Sequence, residues 1–224
     1  MHAPDPQMLS KLSFNYFDLV VVVWLVVGLL RGRKQGMSQE LLPMLKWMII
    51  VVAASYFYRP FSVSIRLNTG TAFDLLWANR TAYLLIALGI MLLFVWIKKM
   101  LGEKLVGSDL FGRSEYYLGM LGGMVRFACM LLVMLALMNS RIVTKEEMAA
   151  TEAMQKQNLE DIRFPTYGSI QQAVLYQSFT GKLVKQYLSS ILIASVTPDQ
   201  LKKGETPAQK KNDVINDVLG PTKK

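Results

Sequence analysis

The chain has 224 residues, of which 52% are apolar and only 18% charged, against roughly 25% charged in an ordinary soluble domain. A lone Cys129 leaves no intrachain disulfide or thiolate metal cage, and a lone His2 at the terminus leaves no His-ligated metal site or Ser–His pair, so no cofactor, no metal and no enzymatic activity are expected. The net charge of +9 sits largely at the ends of apolar runs, as basic residues flank membrane helices, and does not form a nucleic-acid patch.

After a polar lead, 1–13, the first apolar run is "FNYFDLVVVVWLVVGLL", 14–30, closed by "RGRK". A run of that length crosses a hydrocarbon core of about 30 Å when its ends snorkel. The basic stop, with no small-residue cleavage site after it, favours an uncleaved span over a signal peptide. The second run, 40–58, carries Glu40, Pro43 and Lys46; proline is tolerated in the first turns of a helix, where the amide protons lack partners anyway. The third, 81–97, is closed by Lys98 and Lys99, and the fourth, 116–138, holds Arg126 almost at its centre. Segments 19–30, 82–97 and 127–138 show no polar stripe at the helical period, as surface helices of soluble bundles do. The expected fold is therefore all-α: an integral membrane four-helix bundle over 14–140, followed by an amphipathic helical tail. The expected partners are the lipid bilayer and other membrane proteins or further copies of the chain, with no nucleic acid and no identified small-molecule substrate.

Orientation follows from the basic residues of short loops. Arg31, Arg33, Lys34, Lys98, Lys99, Lys104 and Arg113 fall on one side, and Lys11, Arg59, Arg66, Arg80, Arg141 and Lys145 on the other. The small excess puts both basic loops inside and both termini outside.

The tail, 141–196, begins with "TKEEMAATEAMQKQNLEDIR", an exposed helix over 144–163, and breaks at "FPTYGS". Over 170–193, Tyr176, Phe179, Leu183, Val184, Tyr187, Leu188, Ile191 and Leu192 make one apolar stripe. Such a helix lies in the membrane interface, docks on a partner or packs on its own protein. Beyond it, 197–224 is Lys-rich and expected to be disordered.

Gly119 and Gly123 are four apart on the fourth run, and Gly32 and Gly36 repeat that spacing in the first basic loop. Glycines so spaced let a neighbouring backbone approach closely. Arg126 shares the face of Gly119 and Gly123, so the smooth surface and the charge are expected to meet the same neighbour. An arginine in mid-span must face protein or water, and Asp18 and Glu40 are its candidate partners. Three readings stand: packing within one subunit, packing between copies, and an anion or proton path lined by Arg126.

The stretches "YFDLVVVVWLVVGLLRGRKQGMSQELL", 16–42, and "SEYYLGMLGGMVRFACML", 114–131, resemble the colicin V production protein (CvpA) family of bacterial inner-membrane proteins. The matching positions are Asp18, Gly32, Arg33, Lys34, Gly36 and Glu40 in the first, and Gly119, Gly123 and Arg126 in the second. "SFTGKLVKQYLSSIL", 178–192, resembles the family's aromatic C-terminal helix more weakly. The chain departs from the pattern at Glu115 and Tyr116, where the family often has Asp-Arg, and at Phe127, where it often has a small residue. The resemblance implies a non-enzymatic integral membrane protein tied to colicin V production or export and to envelope function.

Overall fold

The computed structural model describes residues 14–69, 74–101, 112–159 and 164–197. The polar lead, and the Lys-rich end after Thr197, lie outside the described residues, as do Lys11 and Lys104. Four long helices come first: α1 (Tyr16–Gln35), α2 (Met37–Thr69), α3 (Leu75–Leu101) and α4 (Glu115–Asn139). The tail adds α5 (Lys145–Leu159), α6 (Tyr167–Gln172), a π turn over Ala173–Gln177, and α7 (Phe179–Tyr187). Among the described residues there is no strand, only an isolated parallel bridge between Arg141 and Val196.

α1 starts at a capping box, in which the Asn15 side chain caps the first turn and Asp18 accepts from the Asn15 amide at 3.0 Å. It stops at Gly36, whose φ of 74° is a conformation that side-chain-bearing residues rarely adopt. α2 then begins at the next residue. Its end is later than the sequence suggests, because the helix continues through Pro60 to Thr69. An interior proline costs about 3 kcal/mol. Burial of Ala54, Tyr58 and Ser62 on either side of Pro60 offsets that cost and keeps the segment helical.

α2, α3 and α4 are each long and apolar enough to cross a membrane. α1 falls short on composition: Asp18, Arg31, Arg33 and Lys34 crowd its ends, and its uncharged stretch is only Leu19–Leu30. The burial pattern is inverted relative to a soluble bundle. Val20, Val23, Val27, Leu84, Leu88 and Leu92 face outward, whereas Ala54, Ala78, Ala82 and the polar Glu40 are enclosed. Apolar bulk outside and small residues between helices is how helices pack in lipid, where burying leucine gains little.

α1 lies along α4, while α2 packs against both α3 and α4. The tail folds back onto the end of the bundle where α1 begins. There Val174, Leu175, Val184, Leu192 and Ile193 join Tyr58, Tyr83, Leu135 and Ala136 in one core. Polar latches hold it: the Ala194 amide donates to the Tyr58 hydroxyl at 2.9 Å, Asn139 Nδ2 to the Ile193 carbonyl at 3.0 Å, and Gln171 Nε2 to the Met138 carbonyl at 2.7 Å. The single helix expected over 170–193 is not formed. Ser178 interrupts it by capping α7, accepting from the Gly181 amide at 2.9 Å. The expected stripe divides accordingly: Val184 and Leu192 go into the core, and Tyr176, Leu183 and Tyr187 remain outside.

Candidate functional site

The α1–α4 seam is built from glycines. Running along α1, Gly28 meets Phe127 and Gly123, Gly32 meets Gly123 and Gly119, and Gly36 meets Gly119 and Glu115. The two helices therefore run antiparallel with their backbones in contact. A Cβ on Gly119 would sit 2.5 Å from the Gly32 carbonyl oxygen and 2.8 Å from the Gly36 carbonyl carbon, which are backbone atoms that cannot swing away. Trp24 closes the seam one turn further along: its ring stands 5.0 Å from that of Phe127, and its Nε1 donates to the Phe127 carbonyl at 3.1 Å. The bulky Phe127 thus fills the space over Gly28, and Glu115 stands against the Gly36 turn.

Arg126 does not share that neighbour. Gly119 and Gly123 face α1, whereas Arg126 points to α2 and pairs with Glu40. Its Nη1 lies 2.7 Å from Oε1 and 2.8 Å from Oε2 of that carboxylate. Glu40 is 0% exposed and Arg126 7%, and the guanidinium also stands 5.2 Å from the Phe127 ring centroid. The depth mismatch implied by sequence position is resolved by the turn. Gly36 packs at the level of Gly119, so α2 starts inside the bundle rather than at its edge. Gly122 then faces Met37 and Glu40, which brings the carboxylate within reach of Arg126 one helical turn away.

Asp18, the other candidate partner, is engaged elsewhere. At the opposite end of α1 it accepts from the Phe179 amide at 3.0 Å, the Thr180 amide at 2.9 Å and the Thr180 hydroxyl at 2.8 Å. A carboxylate there meets the exposed amides and the positive dipole end of α7. The same side chain thus caps two helices far apart in sequence. The structure brings Gly32, Gly36, Gly119 and Gly123 together in the seam, joins Arg126 to Glu40 beside it, and sets Asp18 apart.

Gly28, Gly122, Trp24, Ser178 and Thr180 also belong to this framework and were not singled out in the sequence. Gly28 had a readable signal, since it extends the four-residue spacing of Gly32 and Gly36 by one step. The Trp24–Phe127 contact and the Thr180 cap depend on register between distant helices, for which one sequence carries no mark.

The seam, the pair and the cap all fall within residues 17–183, which match the family described as Colicin V production protein. The chain belongs to the colicin V production protein family. No curated protein and no solved structure matches it. As a colicin V production protein it is a membrane protein with at least three helices able to span a bilayer, and the family region reaches from Phe17 into the first turns of α7.

Proposed function

We propose that this colicin V production protein is a non-enzymatic, four-span scaffold or assembly component of the bacterial inner membrane, supporting toxin production or export or envelope homeostasis. α1 is the fourth span in this reading. Its outward valines contact lipid, its terminal charges snorkel, and its backbone lies against a helix long enough to cross. Both basic loops lie inside and both termini outside.

The observation that carries the reading is that Arg126, Glu40 and Asp18 are each engaged within the chain. Arg126 Nη1 pairs with the Glu40 carboxylate, and Asp18 holds α7. A transport path lined by Arg126, Asp18 and Glu40 would need all three on one lumen, whereas Asp18 is bound at the far end of α1. A partner-binding role for 170–193 would fall to Tyr176, Leu183 and Tyr187, which face outward.

The test is complementation of cells lacking the chain, scored for colicin V export and envelope integrity, alongside crosslinking of the chain to its membrane neighbours. The expected result is that Arg126→Leu and Gly123→Leu lose crosslinks and function together. A variant that keeps every crosslink and the fold yet loses flux would favour transport instead.

A further inference from the structure

At the end of the bundle opposite the tail, a cavity of about 460 Å³ opens between the end of α1, the start of α2 and the end of α3. Four basic side chains line it, Arg31, Lys46, Lys98 and Arg126, and among the described residues no acidic one does. Glu40 offsets Arg126 from behind, leaving three cations with no opposite charge on the cavity wall among the described residues.

Three buried polar atoms on residues of this wall have no hydrogen-bond partner among the described residues: the acceptor Gln35 Oε1 and two donors, Ser38 Oγ, on a residue 4% exposed, and Arg126 Nε. Leaving such groups unpaired is costly, and the two donors, Ser38 Oγ and Arg126 Nε, call for an acceptor from outside. Both can donate, and the adjoining N-terminal end of α2 adds a positive partial charge. The required ligand is an anion with several acceptor oxygens, which describes a phosphate.

The rest of the wall is apolar. Trp47, Phe94 and Met130 line it, and Val95, also on the wall, faces outward among the lipid-facing residues of α3. A free ion has no use for such a surface, whereas acyl chains do. Basic pockets between membrane helices at the inner face take up anionic headgroups for the same reason. We propose that this cavity binds the phosphate of an anionic phospholipid, with Ser38, Lys46, Lys98 and Arg126 around the headgroup and Trp47, Phe94 and Val95 along the chains.

The test uses the full chain purified in a neutral detergent, with binding read by native mass spectrometry and by shift of the thermal midpoint. The probes are phosphatidylglycerol, phosphatidylcholine of the same chain length, and inorganic phosphate. The expected result is preferential binding of phosphatidylglycerol, weakened by at least about tenfold in a Lys46→Gln, Lys98→Gln double variant and also weakened in Ser38→Ala. Arg33→Gln, outside the cavity wall, is expected to bind as the parent does. The double variant leaves the Arg126–Glu40 pair intact, and its midpoint without lipid reports whether the fold is kept; if it is not, Ser38→Ala decides. Equal binding of the two lipids overturns the proposal. So does inorganic phosphate binding as tightly as phosphatidylglycerol, or retention of full affinity by the cavity variants while Arg33→Gln loses it.

Discussion

Gly119→Ala adds one methyl group where the structure has no room for it. The new Cβ would lie 2.5 Å from the Gly32 carbonyl oxygen and 2.9 Å from the Gly36 Cα, while ordinary contact begins at 3.4 Å, so α1 and its turn must recede by about 0.9 Å. A gap of that size forfeits roughly a quarter to a half of each van der Waals contact along the seam. Those contacts matter more in lipid, where no hydrophobic drive holds helices together. Overpacking of this kind costs about 1–3 kcal/mol, and alanine's better helix propensity returns up to about 1 kcal/mol. With the full return the net loss is about 0–2 kcal/mol, and against a Gly→Ala change with open space around it the difference is about 1–3 kcal/mol. The control is Gly89→Ala on α3, where nothing lies within 4 Å of the added carbon and the change is expected to be neutral or mildly stabilising. Reversible unfolding in bicelles, read by circular dichroism, compares the two. If Gly119→Ala is as stable as Gly89→Ala, close backbone contact at the seam is refuted.

The ion pair makes a second prediction: Glu40→Leu or Arg126→Leu alone costs about 3–5 kcal/mol, because each strands a buried charge. The double variant is expected to be more stable than either single one in the same unfolding assay; simple additivity would deny the pairing. Asp18→Ala strips the acceptor from the Phe179 and Thr180 amides, with a loss of about 1–2 kcal/mol at that cap. Limited proteolysis should then cut within 164–197 faster while the bundle stays intact, and an unchanged cleavage rate would count against the cap. Trp24→Phe keeps the ring contact but removes the hydrogen bond to the Phe127 carbonyl. A loss of about 1 kcal/mol is expected, and a midpoint equal to the parent's would remove that bond from the account.

The membrane helices were legible because lipid imposes a simple rule: long apolar runs with no polar stripe. The expected runs at 81–97 and 116–138 sit inside α3 and α4, and 40–58 inside α2. The extension of α2 past Pro60 was not legible, because tertiary burial at Tyr58 and Ser62, rather than local propensity, keeps that segment helical. At the site, the glycine spacing pointed to close packing but not to the partner: Gly32, expected in a basic loop, lies inside α1 and meets Gly119 and Gly123. The direction of Arg126 did not follow, since one helix face borders two neighbours and sequence spacing does not say which lies under the charge. The role of Asp18 was hidden for a further reason. As the third residue of a capping box it already had a sufficient local explanation, and its second set of bonds comes from residues 161 and 162 positions away. The tail misled in the opposite way. Its stripe was real in the sequence, but Ser178 converts one helix into two short pieces with different outlooks.

The separation between each acid and its partner also sets an order of events during synthesis. The ribosome delivers the chain N-terminus first, so Asp18 and Glu40 emerge while their partners do not yet exist. Glu40 waits for Arg126, 86 positions later, and Asp18 waits for Thr180, 162 positions later. Until then the first hairpin carries two carboxylates without their final partners and a glycine face without α4 to rest against. The nascent chain is thus unfinished in the membrane until α4 arrives, and remains open at its other end until the tail folds back.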